Sequence, residues 1–285
     1  MIRCHIALIF LGALPAVAAE SALDIVKRSL ELQERNFQRS RDYTYQQRQV
    51  SRESDGAGRV KTTKTETYDV LRLYGHPYTR LIEKDGKPLS ATEERKQEER
   101  LRKEMEKRRK ETEDPNSKER REFEKDRARE ERLLREIPEA FTFQIAGEER
   151  VSGKPAWIIQ AEPKARYRPK EAIAGMFAKM RGKLWIDQAE YQWVKLEAET
   201  IDTISFGLIL ARLSKGSAFR FEQKRVNDEV WLPSSALIAA NGRVALLKKF
   251  RADLEVSYSN YKKFQSDSKI VSTEAVTESS QANRQ

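Results

Sequence analysis

Residues 20–285 of this chain contain no cysteine and a single histidine, His76, because Cys4 and His5 both fall within the first nineteen positions. A disulfide framework, a thiolate nucleophile and a cysteine metal site are thereby excluded beyond residue 19. A Ser-His-Asp triad or a histidine-rich metal centre would have only His76 to build on. That histidine precedes Pro77 in a stretch that reads as a turn, where a lone imidazole is structural. No GxGxxG, GxxxxGKS/T or HExxH pattern occurs, so the common phosphate cradles and the zinc-protease helix are missing. Past residue 17 no apolar run nears the roughly 20 residues that a bilayer-spanning helix needs.

What is abundant is charge. Charged residues make up 35% of the chain, the formal net charge is +10, and mean hydropathy is −0.78. A basic excess of this size invites nucleic acid or an anionic membrane as partner. The N-terminus redirects that reading. Arg3, the apolar run Ile6 to Val17 and the small residues Ala16-Val17-Ala18-Ala19 form a secretory signal peptide over 1–19, cleaved before Glu20. Exported and free of cysteine, the mature chain fits a bacterial periplasm, which sets nucleic acid aside as a partner. Contact with anionic lipid head groups stays open as a peripheral membrane interaction.

The charge is concentrated in one block. Residues 91–137 hold 17 Lys and Arg against 16 Asp and Glu, so this stretch nearly neutralises itself and is no phosphate-binding arm. Glu98–Arg102, Glu99–Lys103, Glu104–Arg108 and Glu106–Lys110 have the favourable i,i+4 order, each contributing about 0.2–0.5 kcal/mol to a helix. Leu101, Met105, Phe123, Leu133 and Leu134 are too sparse for a coiled-coil seam. Asp114-Pro115-Asn116-Ser117 should break the block in two. The expectation is a charged helical hairpin over 92–137 inserted between strands, either a solvated excursion or an arm that docks a partner.

Around the block the periodicity belongs to sheet. A first helix starts at Ser21, with Asp24 completing a cap, and carries Ala22, Val26, Leu30 and Phe37 at helical spacing. Strands are expected at Tyr43 to Val50, Val60 to Tyr74, Tyr78 to Glu83 and Ala156 to Ala161, with turns at Asp55–Gly58, Asp85-Gly86, near Gly147 and at Ser152-Gly153. Ile173, Met176, Phe177 and Met180 read as a helix that begins at Pro169 and stops at Gly182. Hairpin-like units then run from Gly182 to Glu199 and from Phe219 to Pro233. Further strands follow at Ser235 to Ala239 and, after a Gly242 turn, at Val244 to Tyr261. Residues 265–285, rich in Ser, Thr, Gln and Glu, read as a disordered tail.

Chemistry is harder to place. Asp187 with Glu190, or Glu197 with Glu199, could be arranged as acid/base pairs, yet alternating carboxylates on a strand are also what a solvated face looks like. The apolar segment Ile204 to Leu213 carries more information. Phe206, Ile209, Leu210 and Leu213 fit one helical stripe, and Trp157, Trp185, Trp193 and Trp231 lie on strands around it. The segment is either a plug filling a core or part of an apolar ligand site.

Taken in order, the N-terminal helix, the meander, Gly182-Lys183-Leu184-Trp185-Ile186-Asp187 and Val230-Trp231-Leu232-Pro233 resemble the outer-membrane lipoprotein-sorting superfamily of periplasmic lipoprotein carriers. The likeness spans Ala22 to Phe264, and the charged insertion departs from the ordinary carrier. The resemblance implies an α+β domain over 20–264, a curved antiparallel half-barrel covered by short helices. It further implies binding of a lipid or lipoprotein acyl chain, and the missing catalytic and metal motifs make a non-enzymatic protein without cofactor or metal the expectation. On that reading Phe206, Leu210 and Leu213 lie near the ligand and Trp185 in the wall. The alternative is a non-catalytic envelope module that docks a protein partner through the charged hairpin.

Overall fold

The computed structural model describes residues 20–263, apart from 56, 75, 115, 207–210 and 245–247. The expected signal peptide and tail lie outside the described residues. Helix α1, Ala22–Ser40, begins where Ser21 accepts the Asp24 N–H at 3.2 Å and donates its hydroxyl to the Asp24 carboxylate at 2.6 Å. Its buried stripe is Ala22, Ile25, Val26 and Ser29. Strands β1 (Tyr43–Ser54), β2 (Val60–Leu73), β3 (His76–Lys84) and the two-residue β4 (Lys87–Pro88) form a meander. Asp85 and Gly86 both take positive φ, as the mirror-image turn between β3 and β4 requires.

The charged block folds as α2 (Ala91–Glu113) and α3 (Lys118–Ala140), broken at the expected Asp114–Ser117. Ser90 and Glu93 close a capping box at the start of α2, and Ser117 caps α3. Ion pairs Glu99–Lys103, Glu104–Arg108 and Glu106–Lys110 form at 2.6, 2.8 and 3.4 Å. Then follow β5 (Phe141–Val151), β6 (Lys154–Pro163), a 3-10 helix (Ala172–Lys179), β7 (Met180–Asp187) and β8 (Trp193–Thr200). Next come the short β9 (Ile204–Phe206) and β10 (Ala211–Leu213), then β11 (Ala218–Val226), β12 (Val230–Val244) and β13 (Lys248–Lys263).

All thirteen strands join one antiparallel sheet in the order β4-β3-β2-β1-β13-β12-β11-β8-β7-β6-β5, with β9 and β10 attached at the end of β12. The first and last strands of this path do not pair, so the sheet curves without closing. This is the expected α+β half-barrel with an inserted helical hairpin.

Four local expectations are corrected. Ile204 to Leu213 is not one helical stripe: Ile204 pairs with Leu213, Ser205 with Arg212 and Phe206 with Ala211, so the described part is a hairpin. It continues the β8–β11 hairpin beyond a kink. At the kink the Thr200 hydroxyl donates to the Ser214 carbonyl at 2.7 Å and accepts the Ser217 N–H at 3.0 Å, and the Ser217 hydroxyl takes the Asn241 N–H at 3.0 Å. A short apolar run satisfies helix and strand spacing alike, and pairing with β12 decides for strand.

The expected helix from Pro169 to Gly182 is instead the 3-10 helix, and Met180 already belongs to β7. So short a segment is marginal as an α-helix, and Gly175 inside it lowers helix propensity further. The supposed turn near Gly147 is a β-bulge in a continuous β5. Gly182 and Gly242 likewise stand inside strands. A Cβ on Gly182 would lie 2.6 Å from the Glu197 carbonyl oxygen, so a close approach of backbones, not a helix stop, explains the glycine.

Gly242 is tighter still, since a Cβ there would meet the Arg212 carbonyl oxygen at 2.1 Å and the Phe250 ring at 2.7 Å. Gly242→Ala is expected to destabilise the fold by about 1–3 kcal/mol, read by urea unfolding. An unchanged midpoint would mean that β10 moves away from β12 freely.

Candidate functional site

Cross-strand register sorts the side chains into two faces. On one face α1 lays Ala22, Ile25, Val26 and Leu30 against Ile159, Leu184 and Ile186, with Phe143, Trp157, Trp193 and Leu196 around them. The end of α3 and the 3-10 helix pack nearby through Ile137, Tyr167 and Phe177, which surround Ala140, Phe141 and Ala161. Asn36 fixes the other end of α1: its side chain donates to the Trp231 carbonyl and accepts the Trp231 N–H, both at 2.8 Å.

Beyond α1 the same face continues in two rows. Leu196, Phe221, Ala236 and Val256 stand opposite one another across β8, β11, β12 and β13. Ala198, Phe219, Ile238 and Leu254 form the next row. Ala236 and Val256 are buried, whereas Phe219, Phe221, Ile238 and Leu254 are only half-buried. The two phenylalanine rings stack at 6.4 Å with 10° between planes. A small pocket of about 150 Å³ opens beside α1 between Phe37, Tyr45, Trp231 and Pro233. Phe219, Phe221, Ala236, Ile238, Leu254 and Val256 together make an apolar strip beside α1.

The opposite face is polar. A groove of about 390 Å³ there is lined by Gln160, Glu162, Arg181, Lys183, Glu197 and Arg220 among others. Several of its charges pair with one another: Arg181 meets Glu199 at 2.5 Å, and Glu197 meets Arg220 at 3.0 Å and Lys195 at 3.1 Å. The groove is larger than the pocket beside α1, and Ala198, Ala218, Phe219, Leu237 and Ala239 line it together with the ion pairs. The pairing also occupies Glu197 and Glu199. Asp187 is committed to its turn, its carboxylate accepting the N–H groups of Ala189 at 3.0 Å and Glu190 at 2.7 Å. Burial pushes its carboxyl up, opposed by the Ala189 N–H and by the Lys154 and Arg225 charges. Glu190 in turn is held by Arg225, by Lys154 at 3.4 Å and by the Trp231 indole N–H at 3.0 Å.

Of the expected ligand contacts, Trp185 is buried among Ala156, Val194 and Trp231 on the face away from α1. Its indole N–H donates to Glu149 at 2.6 Å, and Lys195 lies 4.1 Å over the ring. Leu213 is half-buried opposite Ile204 and Gly242, and Phe206 stands opposite Ala211 in the same hairpin. Leu210 lies outside the described residues. The register thus brings Phe206 and Leu213 into one hairpin and sets Trp185 apart, in line with Lys195 five residues before the Thr200 kink. Sequence reasoning did not single out Phe219, Phe221, Ile238 and Leu254. The alternation Phe219-Arg220-Phe221 was the available signal.

The helical hairpin joins the two ends of the sheet on the helix-bearing side. At one end Glu93 of α2 meets Lys84 of β3 at 2.5 Å. At the other, α3 reaches α1 and the 3-10 helix. Arg127 donates to both Glu34 oxygens at 3.1 Å and lies 4.2 Å over Phe37, and Arg132 meets Glu171 at 2.7 Å. The anchor is Glu136, which is 3% exposed. Its carboxylate accepts the Lys170 N–H at 3.0 Å, the Glu171 N–H at 2.8 Å and the Tyr167 hydroxyl. Burial raises its pKa, but these three donors and the Lys170 charge outweigh burial and hold the carboxyl below its ordinary value.

No family model and no curated protein matches the chain. In fold it is similar to an outer membrane lipoprotein-sorting protein domain from Vibrio parahaemolyticus, with 12% identity over 86% of this chain and 95% of that one, at a TM-score of 0.35. A LolA superfamily protein from Nitrosomonas europaea aligns with 10% identity over 87% of this chain and 94% of that chain, at a TM-score of 0.26. The MucA/MucB complex structure from Pseudomonas aeruginosa gives 9% identity, 86% and 99% coverage, and a TM-score of 0.24. Among the described residues no helix is long and apolar enough to cross a membrane, and no group of three or more His, Cys, Asp or Glu could hold a metal ion.

Glu136 gives a test of the hairpin's attachment. Because its folded pKa is depressed, its contribution is present at neutral pH and is lost as pH falls from about 4.5 through the folded value. Glu136→Gln should cost about 1–3 kcal/mol at pH 7 by leaving buried N–H donors poorly met. The difference from the wild type should shrink in urea melts below pH 4.5. A difference independent of pH would remove the carboxylate from the account.

Proposed function

We propose that this chain is an exported, periplasmic binding protein for a lipid or lipoprotein acyl chain. The observation that carries the reading is the half-buried strip Phe219, Phe221, Ile238 and Leu254 on the helix-bearing face. Four large apolar side chains in adjacent register stay half-buried, and no described element of comparable apolarity covers them, which supports an apolar ligand there. An acyl chain suits it chemically, because each buried CH₂ contributes about 0.8 kcal/mol and needs no polar partner. Eight methylenes along the strip would contribute about 6 kcal/mol before binding costs. In this reading Phe206, Leu210 and Leu213 extend the site at the end of the strip, and Trp185 belongs to the supporting wall.

The same observation weighs against catalysis as the purpose of this face, since it brings no nucleophile and base together. It also favours ligand binding over the docking-module alternative. Many cations of α2 and α3 pair with carboxylates of the same helix, of α1 or of the 3-10 helix, which favours a strap over the sheet's mouth.

Ile238→Asp, alone or with Phe219→Asp, should weaken binding of a fluorescent long-chain fatty acid or a diacylated lipopeptide at least tenfold while circular dichroism and the urea midpoint stay close to wild type. Native mass spectrometry and solvent extraction of the purified protein should recover bound lipid. Lipid-free protein that takes up neither probe, at preserved fold, would sink the proposal.

A further inference from the structure

The pocket beside α1 differs from the groove around Glu197 in its charge. Gln33, Phe37, Tyr45, Arg72, Trp231 and Pro233 are among its walls, which hold one cation, Arg72, and no carboxylate. The groove, by contrast, sets Glu162, Glu197 and Glu199 beside its cations. Arg72 of β2 is half-buried. Its Nε donates to the Tyr43 carbonyl at 3.3 Å and one Nη to the Ser40 carbonyl at 3.2 Å, both neutral acceptors, and among the described residues it forms no ion pair. Burial holds its pKa below the ordinary guanidinium value, opposed by Tyr45, reinforced by Arg41 and opposed again by Asp42.

A guanidinium carries five N–H donors and stays charged, so partly withdrawing it from water without a counter-ion costs stability. Exposed cations elsewhere on the sheet keep their water and incur no such cost. Enclosure is what sets Arg72 apart. Two other walls are polar and uncommitted: among the described residues neither the Tyr45 hydroxyl nor the Gln33 amide makes a hydrogen bond.

The pocket continues the apolar strip. Gln223 lines it two residues beyond Phe221 on β11, and Pro233 stands opposite Gln223 on β12. Tyr45 meets the ring of Tyr258, two residues beyond Val256 on β13, at 5.7 Å between centroids. From Phe219 to Gln223 the strand rises about 13 Å at about 3.3 Å per residue. A hydrocarbon chain lying on the strip therefore leads to a half-buried guanidinium flanked by a phenol and an amide. At about 150 Å³ the pocket suits a compact end group.

We propose that the acyl ligand carries an anionic end group, a carboxylate or a phosphate, which Arg72 receives in this pocket with Tyr45 and Gln33 as neutral donors. The inference rests on the acyl-chain reading and narrows it to lipids with a free acidic group. A planar guanidinium meets either oxyanion through paired N–H donors, and the oxyanion supplies the counter-charge that the free protein lacks.

Dodecanoate, dodecyl phosphate and dodecanol share one tail, so titration calorimetry of each against the purified chain separates end group from hydrocarbon. The wild type should bind at least one of the two anions about tenfold more tightly than the alcohol, and the tighter anion identifies the end group. Arg72→Gln should lower that anion's affinity about tenfold and leave dodecanol unchanged, while Arg72→Lys keeps part of the preference. Tyr45→Phe should reduce it about threefold. An arginine serving only the Tyr43 and Ser40 carbonyls would instead weaken all three probes alike in Arg72→Gln, and that result overturns the proposal. Should Arg72→Gln not fold, an unchanged anion-to-alcohol ratio in Tyr45→Phe overturns it as well. Equal wild-type affinity for the alcohol and both anions overturns the end-group assignment and leaves the acyl-chain site standing. Binding of none of the three overturns both.

Discussion

The two ends of an unclosed sheet are consecutive in this chain. β4 ends at Pro88 and β5 begins at Phe141, yet they terminate opposite ends of an eleven-strand path. Whatever connects them must cross the mouth of the sheet, and the α2–α3 hairpin is that connection. Each of its helices is about 34 Å long at 1.5 Å per residue, comparable with the roughly 50 Å that eleven strands would span if flat. The charge of the block follows from this position. A helix pair crossing a mouth has water on most of its surface, so it draws stability from capping and from i,i+4 ion pairs, and only narrow stripes such as Leu101, Met105 and Ile137 are half-buried. The edges are managed too: β4 has only two residues, and Gly147 puts a bulge into β5.

Much of this was legible before any coordinates, and the reason is local. Asp85-Gly86, Ser152-Gly153 and Asn227-Asp228 are pairs that tolerate positive φ, and all six residues adopt it. Ser21 caps α1 and Asp114–Ser117 splits the hairpin for equally local reasons. The misread glycines share a different cause. Gly182 and Gly242 answer to carbonyl oxygens of Glu197 and Arg212, partners fifteen and thirty residues away, and no short window contains both members of such a contact. Glycine as a turn and glycine as room for a neighbouring backbone look alike from one strand.

The candidate site was legible only in kind. An apolar surface follows from the aromatic and aliphatic residues of β11 to β13, but which of them meet depends on register. A bulge between Glu222 and Gln223 resets the pairing of β11 with β12. Trp185 shows the difficulty most clearly. Leu184, Trp185 and Ile186 are all buried, because both faces of β7 are covered there, so the usual alternation gives no sign of which face a tryptophan serves.

Stability is therefore distributed unevenly between the helices that cover the sheet. α1 is held by burial of Ile25, Val26 and Leu30 on the sheet and by the paired Asn36 hydrogen bonds, interactions that water does not replace cheaply. The α3 contacts with α1 are of another kind. Arg127–Glu34, and Arg132–Glu171 toward the 3-10 helix, are partly exposed ion pairs, each contributing about 0–1 kcal/mol and less at higher salt. Toward β5 the hairpin is anchored by Glu136, and toward β3 by the exposed Lys84–Glu93 pair. Separating the strap from α1 consequently costs far less than lifting α1 from the sheet, and it exposes little apolar surface. Salt links thus hold the strap while hydrocarbon burial holds α1, so the weaker set of contacts lies between the two helical layers.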